Sequence, residues 1–261
     1  MTVESHVRLE GGGGRTPLVL VHGVGLDLEM WGAVLGRLSA DRLVVRYDLL
    51  GHGGTPDPSG DRTIEDFVAQ LLDLVDDLGI GAPDLAGLSL GGMVALGAAA
   101  RHPEAFRRLA LLNTVFDRTP AQVAAARDRL ALTEAEGMAP VADLAIDRWF
   151  TADWQTANPD EASAVRERLL ANDVDAYLKA YRVFVEGDPL MPEGATLVTA
   201  PTLAMTGELD PGSTPGMSRA LAAALPTGQA LVLPGLHHLP PIEAPDEFVG
   251  PLLHFLDEEQ P

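Results

Sequence analysis

The chain has 261 residues, 46% hydrophobic, 21% charged and 5% aromatic, so it can bury a sizeable core as one large domain or two small ones. Its 38 Asp and Glu outnumber 18 Lys and Arg, a net charge of −20 that keeps the chain soluble and argues against nucleic acid or an anionic membrane as partner. Cysteine is absent, which excludes disulfides, thiolate metal sites and a thiol nucleophile, and with no apolar leader and no run of ~18 apolar residues the expectation is a soluble, cytoplasmic protein.

Elements follow in chain order. Gly11 to Gly14 lacks a following Gly-Lys-Ser/Thr and reads as a hairpin turn rather than a phosphate loop. Compact apolar runs at Pro17 to Val21, Leu43 to Tyr47, Asp84 to Ala86 and Leu109 to Leu112 read as strands buried on both faces of a parallel sheet. Helical patterns at Met30 to Leu38, Ile64 to Leu78 and Leu90 to Arg101 alternate with them; Thr63 is a candidate N-cap of the second and Gly79 its stop. From Phe116 to Met191 the pattern is Ala- and Arg-rich and helical, and it carries Trp149, Phe150, Trp154, Tyr177, Tyr181 and Phe184. The alternation resumes with a strand at Thr202 to Thr206, a helix near Ser218 to Ala224, a strand at Ala230 to Leu233 and a last helix after Pro245. The fold class is therefore α/β, a doubly wound, mostly parallel sheet formed by residues 1–115 and 192–261, with a helical insertion over 116–191.

Gly87-Leu88-Ser89-Leu90-Gly91 stands where a strand ends and a helix begins, the arrangement of a nucleophile elbow. Such a turn holds the serine in a strained backbone conformation at a helix N-terminus, and the Leu90 amide then faces a developing oxyanion. His22-Gly23-Val24-Gly25 follows the first parallel strand and offers the Val24 amide as the second donor. Of seven histidines, His237 and His238 lie between a strand and the last helix, at the sheet edge that faces the elbow. Position leaves either of that pair as the base. His22 and His52 read as structural loop residues, and His102 and His254 as surface residues. Chain order places the third member between Ser89 and His238: Asp210 ends the strand Thr202 to Thr206, and Asp117 is the alternative after Leu109 to Leu112.

These motifs, with HGVGLDLEMW at His22 to Trp31, RYDLLGHGGT at Arg46 to Thr55, GELDPGSTP at Gly207 to Pro215 and PGLHHLPPIEAPDEF at Pro234 to Phe248, resemble the α/β-hydrolases over nearly the whole chain. Within that superfamily the chain is similar to 3-oxoadipate enol-lactonases and related carboxylesterases. Alignment on Glu243-Ala244-Pro245 implies that His238 is the catalytic histidine. The chain departs from many relatives at Leu50, where they carry Arg, and from enol-lactonases at His22-Gly23. The resemblance implies that the insertion is a helical cap roofing the nucleophile, and Arg148-Trp149-Phe150 resembles a segment of enol-lactonase caps, which makes Arg148 and Trp149 candidate substrate contacts. It implies a hydrolase of a small ester or lactone that uses Ser89, Asp210 and His238, needs no cofactor or metal, and leaves a homo-oligomer open. A carbon-carbon hydrolase of ring-cleavage diketones and a non-catalytic small-ligand receptor are the alternatives. Ser89 argues against the dehalogenase and epoxide hydrolase branches, whose nucleophile is Asp.

Overall fold

The computed structural model describes residues 4–187 and 190–258. Among them seven strands form one sheet: β1 (Val7–Gly11), β2 (Leu18–Val21), β3 (Leu43–Tyr47), β4 (Asp84–Leu88), β5 (Leu109–Leu112), β6 (Thr202–Gly207) and β7 (Gly228–Leu233). Their order is β1-β3-β2-β4-β5-β6-β7, parallel throughout except for β1, which pairs antiparallel with β3 in the register Val7 to Tyr47. β2, β4 and β5 are buried along their whole length, as unbroken apolar runs in the centre of a doubly covered sheet must be.

Two helices, α1 (Gly32–Leu38) and α2 (Ile64–Leu78), precede β4; α3 (Leu90–Arg101) follows it. Between β5 and β6 lie α4 (Pro120–Glu136), α5 (Met138–Trp149), α6 (Ala152–Ala157), α7 (Pro159–Leu170), α8 (Val174–Glu186) and α9 (Met191–Leu197). The chain closes with α10 (Pro215–Ala224), α11 (Pro240–Glu243) and α12 (Pro245–Asp257). Strand alternation divides the core into two layers. Val19, Val21, Val45 and Leu85 face α2 and α3, whereas Leu18, Leu20, Val44 and Ala86 face α1 and α12. α2 starts in a capping box between Thr63 and Asp66 and stops at Gly79, whose φ of 61° few other residues adopt.

Two sequence expectations need correction, and one strand carries no apolar signal in the sequence. Gly11 to Gly14 is not a hairpin turn: β1 pairs with β3, so this segment carries the chain past the end of β3 to β2. There a Cβ at Gly13 would lie 2.3 Å from the Asp41 carbonyl, so close approach explains the glycine. β1 itself carries no apolar run, because an edge strand leaves Arg8 and Leu9 exposed. The helix expected from Met30 starts at Gly32, after a 3-10 turn over Leu28–Trp31 capped by Asp27. Among the described residues, no helix is long and apolar enough to cross a membrane.

Candidate active site

The site is assembled at the carboxyl ends of the parallel strands. Ser89 joins β4 to α3 with φ 57° and ψ −114°, a conformation that costs a non-glycine residue energy and persists because its surroundings fix it. Its amide donates to the Leu112 carbonyl at 2.8 Å, and its own carbonyl accepts from Thr114 Oγ1 at 2.8 Å. The flanking glycines are required by packing: a Cβ at Gly87 would lie 2.1 Å from the Gly91 carbonyl, and one at Gly91 2.3 Å from the Val21 carbonyl. Leu90 is the first residue of α3, where amides have no intrahelical acceptor.

Asp210 follows β6 and is buried. Its Oδ1 accepts from the amides of Gly212 and Ser213 at 2.8 and 2.9 Å, and its Oδ2 from Asn113 Nδ2 at 2.8 Å and His238 Nδ1 at 2.6 Å. Burial pushes this carboxyl up, but His238, Asn113 and the Ser213 amide outweigh it and hold it below the usual carboxylate range. An ionised Asp210 can only accept, so His238 carries a proton on Nδ1. Asp117 is exposed, and His238 Nδ1 is engaged by Asp210 instead.

His238 lies in the β7–α11 loop, held from three sides. Its amide donates to the Trp149 carbonyl at 3.2 Å, and the Trp149 indole stacks on its ring with centroids 6.0 Å apart. Glu243, buried, accepts from the Thr151 amide through Oε1 and from the His237 amide through Oε2, both at 2.8 Å. The alignment anchor thus has a physical role: its carboxylate ties the histidine loop to the start of α6. His237 contributes backbone, its carbonyl accepting from Asn113 Nδ2 at 3.2 Å.

The loop after β2 rests on two buried histidines. His22 Nε2 accepts from the Leu49 amide at 2.9 Å, and His52 Nε2 accepts from the Gly25 amide at 3.1 Å, so each ring carries its proton on Nδ1. Burial pushes both below their ordinary value, His52 to about 3 with help from His22, so both are neutral. They serve as structural acceptors that fix the loop presenting Val24.

A cavity of about 150 Å³ opens between these groups and the helices above, lined by Val24, Ser89, His238, Arg118, Arg129, Arg148, Trp149, Tyr177 and Tyr181 among others. Ser89, Val24, His238, Arg148 and Trp149, each singled out in the sequence, meet there, with Asp210 one hydrogen bond behind. Phe150 instead is fully buried against Trp154, with ring centroids 4.2 Å apart. Sequence reasoning missed Asn113 and Arg129. Asn113 follows β5 at the same sheet edge and has φ 43°, a position that only the strand order puts beside Asp210. No group of three or more His, Asp or Glu among the described residues could hold a metal ion.

Residues 18–250 match the model of the alpha/beta hydrolase family. The (E)-2-((N-methylformamido)methylene)succinate hydrolase of Acinetobacter baylyi is 30% identical over 233 residues, covering 88% of this chain and 86% of that protein. The 3-oxoadipate enol-lactonase 2 of the same organism is 27% identical over 200 residues, 77% of this chain and 73% of its own. The crystal structure of an enol-lactonase from Burkholderia xenovorans superposes with a TM-score of 0.91 at 33% identity, over 98% of this chain and 97% of that one. With this fold, the strained serine between β4 and α3, and a family match over most of its length, the chain belongs to the alpha/beta hydrolase family.

Proposed function

We propose that the protein is a cofactor-independent serine hydrolase of an ester or lactone of a small organic acid. Ser89 Oγ attacks the carbonyl carbon while His238 Nε2 takes its proton, and the Val24 and Leu90 amides hold the oxyanion. The tetrahedral intermediate expels the leaving oxygen, which takes the proton from His238. Water, deprotonated by the same nitrogen, then attacks the acyl-enzyme, releasing the acid and restoring the serine. Asp210 keeps the imidazole in the required tautomer. Helices α4 to α8 are the cap in this reading, with Arg148 and Trp149 as substrate contacts.

The observation that carries the proposal is the 2.6 Å bond from His238 Nδ1 to Asp210, in a cavity shared by His238 and Ser89. Relatives named enol-lactonase support the ester or lactone class. The test is hydrolysis of a short p-nitrophenyl ester and a panel of unsaturated lactones and diketones by the wild type and Ser89→Ala. The wild type should turn over esters or lactones, and the variant should keep its fold and retain at most the ~10³ to 10⁴-fold acceleration left by binding and the oxyanion hole. Near-normal turnover by Ser89→Ala overturns the assignment, and activity confined to diketones moves it to carbon-carbon cleavage.

A further inference from the structure

Three arginines line the cavity of a chain whose net charge is −20. Arg118 is part of the wall: it donates to the carbonyls of Phe184 and Val185 at 2.8 and 3.0 Å and covers the Phe184 ring. Arg129 and Arg148 differ from it. Among the described residues neither has a carboxylate oxygen within 4.0 Å, although Arg166, Arg168 and Arg182 on neighbouring helices each pair with an acid at 2.6 to 2.9 Å. Arg129 Nε donates to Tyr181 Oη at 2.8 Å, which orients the guanidinium without neutralising it. Arg148 lies over Gly212, where a Cβ would stand 2.6 Å from its Nη2. Burial and then the Arg129 charge push Arg148 below its ordinary value, so the two cations act on each other within the half-buried cavity.

Two like charges with no carboxylate in direct contact, offset only at longer range by Asp210 beside Arg148, are a cost to folding, and one bound monoanion would leave much of it in place. From this pair we infer that the cavity takes a substrate with two carboxylates besides the scissile carbonyl, one on Arg129 and one on Arg148. The inference rests on the serine hydrolase reading only for the word substrate; the anion site itself is independent of catalysis. Planar guanidiniums suit carboxylates, and separate mounts on α4 and α5 suit two groups better than one.

Calorimetric binding to Ser89→Ala tests this without turnover, with succinate, monomethyl succinate and inorganic phosphate as probes. Succinate should bind at least about tenfold more tightly than its monomethyl ester, the equivalent of one partly buried ion pair. Arg129→Gln and Arg148→Gln, each in that background, should collapse the ratio towards unity. Arg127→Gln, which removes an exposed charge from the same helix, should preserve it. Equal binding of succinate and its monoester, a ratio that survives both cavity substitutions, or phosphate binding as tightly as succinate overturns the two-carboxylate site. Melting temperatures without ligand verify folding, and Arg129→Lys should restore part of the ratio if the charge is what counts. Ester turnover by the wild type is scored separately, so failure of the hydrolase reading and failure of the anion site give different results.

Discussion

At the scale of single residues, the proposed chemistry depends on a chain of side chains that begins behind the triad. Asp210 uses both oxygens, and each has two donors. Asp210→Asn substitutes an amide that favours the wrong imidazole tautomer, so kcat should fall on the order of 10⁴-fold with the fold intact. Full activity in that variant would remove Asp210 from the mechanism. Asn113→Ala takes one donor from the same carboxylate, and a hydrogen bond to a charged group in a buried site contributes ~1.5 to 3 kcal/mol. The expected outcome is a 10 to 100-fold loss in kcat, read with the pH-rate profile, whose acid limb should move up as Asp210 becomes easier to protonate. An unmoved limb with a lower melting temperature would reduce Asn113 to a structural residue.

At the scale of elements, the helices above the site are bolted to the loop that carries Val24. Asn172, between α7 and α8, donates to the Gly25 carbonyl at 2.9 Å, and Arg168 pairs with Asp27 at 2.9 Å. Leu169 and Tyr177 press on Gly25 so closely that a Cβ there would meet them at 2.7 and 2.9 Å. Asn172→Ala should therefore lower kcat by roughly tenfold, one neutral hydrogen bond's worth, with a small change in KM and melting temperature. A change in melting temperature alone would separate the two elements functionally. Glu243 plays the matching part on the histidine side: Glu243→Gln keeps one acceptor oxygen but sets an NH₂ against a backbone N–H. Urea unfolding should show a loss of ~1 to 3 kcal/mol. Nothing in the local sequence marks Asn172 for this duty, because its partner lies 147 positions away.

For the whole molecule, buried neutral histidines are one source of acid sensitivity. His52 titrates near 3 when folded against an ordinary 6.5, and His22 is lowered by burial as well. Between those values His52 binds more protons in the unfolded chain than in the folded one, so its contribution to stability falls as pH drops through 6.5 and goes on falling towards 3. Asp84, pushed up by burial to about 6, takes its proton first in the folded chain and offsets part of that loss. His52 alone should cost about 2 kcal/mol between pH 7 and 5. Urea midpoints at the two pH values measure this, and His52→Gln should flatten the dependence; an unchanged slope would assign the acid sensitivity elsewhere. The acidic surface adds repulsion that salt screens, whereas the histidine contribution is buried and persists in salt.

The sequence by itself determined what short-range pattern and local chemistry can determine. Continuous apolar runs mark β2, β4 and β5 because a strand covered on both faces has no polar side. Gly87 to Gly91 mark the elbow because no larger residue fits against Gly91 and Val21. Thr63 and Gly79 bracket α2 through caps that involve only near neighbours. What only the tertiary structure decided lies where the deciding partner is remote in the chain. Pairing of β1 with β3 rather than β2 turned an apparent hairpin into a crossing segment, since strand order is fixed by packing across the whole sheet. The choice of Asp210 over Asp117 beside His238, the place of Asn113 behind them and the meeting of Arg129 with Arg148 depend in the same way on which strand ends and helices are neighbours. Side-chain type and spacing carry no record of that adjacency, because burial and pairing act through space between segments many residues apart.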